Sequence, residues 1–271
     1  MGKVVLELPV GEPVAGIASL DGEIYVLRAA ESDQVEVYDV VTYKVQRRIT
    51  VPDFGWLIDM TSCELHLCVY IADRSAECMH KLDSQGAFTQ WEIHDVPRGV
   101  SVNAAHNVLV TCYGVHAIKE FTSGGCLLRE LALPDELTNP WHAIQTLTGT
   151  DEFFVCHGHL LDSVHRVCKL SADGRRIVHS HGAQRGSDVG QYNRPRRMAI
   201  DNDEFLFVAD VINRRVKLLS PTFGHMGLAV CDDQLKGQPN RLSLDVQRRR
   251  LYVADNVWGE CASGRVLVIS V

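Results

Sequence analysis

No apolar run in the 271-residue chain reaches the roughly 18 to 20 residues that a transmembrane helix needs. Nothing therefore predicts membrane contact, and a soluble protein is expected. Three catalytic signatures are also missing: a Gly-rich phosphate loop, a G-x-S-x-G elbow and an H-E-x-x-H helix. Their absence removes the commonest sequence grounds for nucleotide hydrolysis, serine hydrolysis and zincin chemistry. The formal charge of -7 argues against non-specific nucleic-acid binding by the whole surface, although a local basic patch stays open. The opening "MGKVVLELPVGEPVAG" is too short in its apolar run, and interrupted by Glu7, to be a signal peptide; Leu6 does not fit a myristoylation pattern. It is expected to be part of the fold. Cysteine is plentiful but lacks framework spacing: nine residues, an odd number, sit mostly inside alternating apolar runs such as "LCVYIAD", "VLVTCYG" and "FFVCHG". A disulfide scaffold is not expected, and a reducing, cytoplasmic location is.

What the chain does contain is repetition. "RPRRMAIDNDEFLFVADVINRRVKLLS" (194–220) is echoed by "LYVADNVWGECASGRVLVIS" (251–270), and six such units align through "EIYVLR", "LCVYIAD", "NVLVTC", "EFFVCH", "EFLFVAD" and "RLYVAD". Their landmark residues Arg28, Asp73, Cys112, His157, Asp210 and Asp255 are 45, 39, 45, 53 and 45 residues apart, which is the length of a propeller blade. The alternation has period 2, so the elements are strands. Each unit supplies an inner strand that in several cases follows a proline, the landmark strand, a third strand and an outer one. The sixth unit ends after its third strand, while "KVVLELPV" opens the chain without a partner. The fold expected is an all-β, six-bladed β-propeller of four-stranded antiparallel blades, forming a single domain over 1–271, closed by the N-terminal strand as the outer strand of the last blade. The isolated domain is expected to be monomeric.

The pattern P-x-x-[IVM]-A-[IV]-D followed by [FY]-V-A-D-x-x-N-x-R resembles the NHL-repeat family of β-propellers, along essentially the whole chain. The match is sharp in the fifth unit and good in the second and sixth; in the first, third and fourth units Arg28, Cys112 and His157 stand where the repeat has Asp. The resemblance implies that the Asp and the downstream Asn and Arg fix the turn after the second strand, a set completed in Asp210, Asn213 and Arg214. It also implies that Tyr192, in the polar connection "SHGAQRGSDVGQYNRP" (180–195), anchors a loop to its blade. In tripartite-motif ubiquitin ligases, an NHL propeller follows RING, B-box and coiled-coil segments and recruits substrate or RNA. Those segments are not within these residues, so ligase activity is not assigned to this chain.

Antiparallel succession brings the starts of inner strands and the ends of second strands to one face. That places Arg28, Trp56, Asp73, Arg98, Cys112, Trp141, His142, His157, Arg196, Arg197, Asp210, Arg241 and Asp255 on a common candidate binding rim, which Arg185 and Arg194 extend. Arginine planes beside aromatic rings suit single-stranded RNA, phosphate or an acidic peptide; equally, the arginines are expected to pair with Asp73, Asp210 and Asp255. His142, His157 and His159 crowd into one unit and are the candidates for a metal with an open coordination position. The resemblance offers a precedent, since the related peptide α-amidating lyases hold a metal with histidines of a six-bladed propeller, but from different blades. Cys63, His66, Cys68, Cys78 and His80 form a second tempting set. Topology separates them, since Cys68 starts a strand at one end of the blade and Cys78 the next at the other, roughly 13 Å away. No cofactor is expected.

Three functional expectations follow. The first is a non-enzymatic interaction module that presents its loop-rich face to a protein or peptide. The alternative is single-stranded RNA binding through the Arg-rich rim, and the third a metal-dependent lyase or hydrolase. Fold alone does not choose among them.

Overall fold

A computed structural model describes residues 2–29, 34–52 and 54–271. Its strands form six four-stranded antiparallel sheets, and the inner strand of each touches the inner strands of the sheets before and after it, so the six close into a ring. Blades 1 to 5 run outward in chain order. Blade 6 is composite: Gln238–Asp245, Arg250–Val257 and Ser263–Ser270 are completed by Lys3–Gly11, which pairs antiparallel with Ser263–Ser270 from Lys3↔Ser270 to Gly11↔Gly264. The closing strand leaves Leu8 buried in a cluster with Val14, Tyr252, Val266 and Val268, which spans blades 6 and 1. Each of the other five blade interfaces has an apolar cluster of its own.

The burial of each strand follows from its place in this stack. Second strands have a neighbouring blade on both faces, so Cys68–Asp73, Val108–Cys112, Phe153–His157 and Leu206–Asp210 are buried at every residue. That explains why they read as nearly continuous apolar runs, with the cysteines inside them. Outer strands face water, and Val45–Thr50 and Leu127–Ala132 are mostly exposed. Among the described residues all nine cysteines are free thiols, and no helix is long and apolar enough to cross a membrane.

Two local features differ from the sequence reading. Residues 180–184 of the expected loop are strand, because the third strand of blade 4, Val164–Leu170, is long enough to pair as far as Val164↔Gln184. The remainder of the connection does loop, and Tyr192 is fully buried there, its hydroxyl 3.0 Å from His181 Nδ1 and its ring 4.1 Å from Lys217 Nζ. The other difference is a register shift near the start of every inner strand, for example between Pro97 and Gly99, Pro140 and His142, and Pro195 and Arg197. A bulge re-aims the side chains that follow it, and here it decides which residues reach the axis.

Candidate binding face and axial ion cluster

At the start of each inner strand one residue pairs with the landmark residue: Val14↔Arg28, Leu57↔Asp73, Pro97↔Cys112, Pro140↔His157, Pro195↔Asp210 and Pro239↔Asp255. All six landmarks therefore lie at one face of the ring, called here the upper face. Their side chains turn into the blades. Asp210 accepts hydrogen bonds from Asn193 N, Asn213 Nδ2 and Arg215 Nε, and Asp255 from Lys236 N, Gly237 N and Arg265 Nε. Asp73 accepts from the amides of Gly55, Trp56 and Ala76; these bonds and His80 hold its carboxyl down at about 2 against the effect of burial. Arg28 is tied to Glu36 at 2.6 Å. Cys112 is buried, and its thiol is pushed up to about 12 by burial and by Asp95. Asp73, Asp210 and Asp255 hold the turns of the face, and they pair with the third-strand residues His80, Arg215 and Arg265 instead of with the loop arginines. In blades 3 and 4, where Asp is replaced, other acids take over: Asp95 accepts from Gly114 N and Val115 N, and Asp162 from His159 N.

Two residues further along each inner strand, past the bulge, come Gly16, Asp59, Gly99, His142, Arg197 and Arg241. This ring of positions meets at the axis. Arg197, from blade 5, reaches across to the Asp59 carboxylate of blade 2 through a short ion pair, and donates to the carbonyls of Val100 and Met60 at 2.8 and 3.1 Å. Arg241 lies 3.4 Å from the other Asp59 oxygen and donates from Nε to the carbonyls of Ala15 and Ile58. Asp59 also accepts the Val100 amide at 2.9 Å. Glycine at positions 16 and 99 makes room: a Cβ on Gly99 would sit 2.5 Å from the Trp141 carbonyl oxygen, and one on Gly16 would sit 2.6 Å from Met60 Cβ. Arg197 and Arg241 thus leave the expected rim and plug the channel. Below the plug a cavity of about 650 Å³ opens to the opposite face; Asp21, Glu64 and Asp245 line it beside Arg197 and Arg248, the last paired with Asp245.

The histidines do not converge. His142 points to the Val100 carbonyl 3.3 Å away, and complete burial with the nearby Arg197 holds its imidazole neutral. His157 places Nδ1 3.2 Å from the Thr138 carbonyl and accepts Arg166 Nε on Nε2, and burial followed by Arg166 lowers it to about 4. His159 stacks on Trp141 with ring centroids 6.3 Å apart. In the register, His142 faces Cys156, while His157 faces Pro140. Among the described residues the one His/Cys/acid group with ligand atoms close together is Asp73, Cys78 and His80.

The remaining rim residues do assemble on the upper face of blades 3 to 5, around Trp141. Arg98 lies between two rings, its guanidinium carbon 4.0 Å from the centre of Tyr113 and 4.3 Å from that of Trp141. Arg196 and Arg194 approach the same indole at 4.5 and 5.7 Å. Trp141 is fixed by Nε1 donating to the Gly158 carbonyl at 3.1 Å. Arg196 donates to Asn240, but no described carboxylate pairs with Arg98, Arg194 or Arg196, and the Nε of each is buried without a hydrogen-bond partner. Burial, then repulsion from Arg74, brings Arg98 down to about 10, so it stays charged at neutral pH. Arg74 itself covers the exposed Trp56 at 4.7 Å. Sequence reasoning missed Arg74, Tyr113 and Asp59. An aspartate inside the apolar run "WLIDM" was the available signal for the last.

No protein-family profile matches the chain. No curated protein matches it by sequence either. Solved structures do share the fold: a streptogramin B lyase, 12% identical, with TM-score 0.67 over 97% of both chains; the virginiamycin B lyase of Staphylococcus aureus, 12% identical, at 0.66 over 99% of both; and the hydrazine synthase of Kuenenia stuttgartiensis, 13% identical, at 0.66 over 92% of this chain and 93% of that one. At such identities the likeness is one of architecture, and the chain is a six-bladed β-propeller.

Proposed function

We propose that the chain is a binding module of the NHL-like kind, and that the upper face of blades 3 to 5 takes an acidic peptide segment of a protein partner. The observation that carries this reading is the set of guanidiniums of Arg98, Arg194 and Arg196 packed about Trp141 with no carboxylate partner among the described residues. Arginine forks match carboxylates in bidentate fashion, and three of them on a fixed indole form a prepaid geometry for two adjacent acidic side chains.

Peptide is favoured over single-stranded RNA because Trp141 is already engaged by Arg98, Arg196 and His159. A run of bases needs successive free aromatic faces. The test is fluorescence anisotropy with Asp/Glu-rich peptides and with single-stranded RNA at two salt concentrations, using the wild type and Arg98→Gln/Arg196→Gln. Peptide binding that weakens at least tenfold in the double variant supports the reading. RNA binding with a steeper salt dependence and the same loss would replace it by the RNA alternative.

A further inference from the structure

Three blades keep the landmark aspartate, and they compensate its buried charge differently. In blade 5 the residue across the ladder from Asp210 is Arg215, whose Nε lies 2.8 Å from the carboxylate; in blade 6 Arg265 faces Asp255 at 2.7 Å. In blade 2 the residue across from Asp73 is Cys78. The arginine is gone, and two residues further along the same strand comes His80. Asp73, Cys78 and His80 are all buried.

The geometry of the three side chains suits a small divalent ion. His80 Nε2 is 3.5 Å from Cys78 Sγ and 3.5 Å from Asp73 Oδ2, and the ligand atoms all fall within 4.8 Å of one another. Bonds of about 2.3 Å to sulfur and about 2.0 to 2.2 Å to nitrogen and oxygen, at tetrahedral angles, put neighbouring ligand atoms about 3.4 to 3.6 Å apart. We propose that Asp73, Cys78 and His80 form a zinc site in blade 2, occupying the place that Asp–Arg pairs hold in blades 5 and 6. Zn²⁺ displaces the Cys78 proton, which leaves to solvent. Thiolate, carboxylate and neutral imidazole around the dication then sum to zero charge, as the Asp–Arg pairs do. A thiolate and an imidazole select zinc over magnesium or calcium. The fourth position falls to water or to the Ser75 hydroxyl, 3.4 Å from Asp73 Oδ1. Because Asp73 also holds the amides of Gly55 and Trp56, the metal would staple the loop that carries Trp56. The site is independent of the peptide-binding reading.

The set flagged in the sequence as Cys63, His66, Cys68, Cys78 and His80 is thereby divided. Cys68 and Cys78 do sit at opposite ends of their strands, facing Asp83 and Asp73. At the lower end Cys63 Sγ lies 3.2 Å from His66 Nδ1 and 3.7 Å from His106 Nδ1, which makes Cys63 the natural control. The experiment strips the reduced 271-residue chain with chelator and titrates it with Co²⁺, following the thiolate-to-cobalt charge-transfer band, then displaces cobalt with Zn²⁺. The expected result is one equivalent with a tetrahedral spectrum in the wild type and in Cys63→Ser. Cys78→Ser should lose the band, and His80→Gln should weaken zinc by at least about 100-fold, each with its β-sheet circular dichroism intact. No stoichiometric uptake by the wild type would overturn the proposal. A band kept in Cys78→Ser and lost in Cys63→Ser would overturn it as well.

Discussion

Asp59→Asn is the sharpest perturbation of this ring, because one carboxylate serves two guanidiniums at the axis. Asp59 is 2% exposed, and the Arg197 and Arg241 side chains 7% and 14%. The amide is isosteric and still accepts the Val100 amide proton, so packing is kept while the carboxylate that serves both guanidiniums is neutralised. Two buried guanidiniums then face each other with carbonyls alone as partners. Removing one partner of a buried ion pair costs about 3 to 5 kcal/mol, and for a chain of this size about 2 to 4 °C is lost per kcal/mol. The midpoint of thermal unfolding should fall by about 6 to 20 °C. Arg197→Met should cost less than Asp59→Asn, since Asp59 keeps Arg241. In a double-mutant cycle Asp59→Asn with Arg197→Met should show a coupling of at least about 1 kcal/mol, well outside the additivity expected of separate sites. Calorimetry on the four proteins measures both quantities. An Asp59→Asn midpoint within 2 °C of wild type, on the same scale of about 1 kcal/mol or less, would refute the picture, because the channel would then be hydrated enough to screen the pair like a surface salt bridge.

Deletion of residues 1–10 should destabilise the ring cooperatively by about 3 to 6 kcal/mol, from the burial of Leu8 and the partial burial of Val4 and Leu6; an unchanged denaturant midpoint would exclude closure through this strand. Gly99→Ala should cost about 1 to 3 kcal/mol by overpacking, since its Cβ meets the Trp141 backbone, and should disturb the neighbouring upper-face site, seen as a changed Trp fluorescence spectrum. His157 is held neutral in the fold at about 4 against an ordinary 6.5. Its folded value is the lower one, so stability is complete above 6.5 and is lost as pH falls toward 4. The loss amounts to about 3 kcal/mol. Urea titrations of His157→Gln, which keeps an acceptor for Arg166 and does not take up a proton in this range, should show a flatter pH dependence across that window; an identical slope would assign the acid sensitivity to other groups.

The architecture was legible because its signals are local and recur. Period-2 alternation, a repeat of about 45 residues and an unpaired N-terminal strand each state one part of a closed ring, and the ring is the arrangement in which all are satisfied. The buried Tyr192 was legible for the same reason, being tied to a motif within one unit. The site was legible only in composition. Arg98, Trp141 and Arg196 were marked as rim residues, but nothing in their spacing separates them from Arg197 and Arg241, which fill the axis. That division is made by a bulge at the start of each inner strand, a backbone event without a residue signature of its own here. Asp59 was passed over because its partner is 138 residues away, and the pairing exists only once blades 2 and 5 face each other across the channel. The histidines illustrate the converse: nearness in sequence suggested a common point, and alternation along adjacent strands sent each to a different carbonyl or ring. Sequence by itself determined the number, length and closure of the blades, since strand periodicity is a property of consecutive residues. Which charges meet, and which are left without a partner on the upper face, was decided by tertiary structure alone, because electrostatic neighbours in a ring come from different blades.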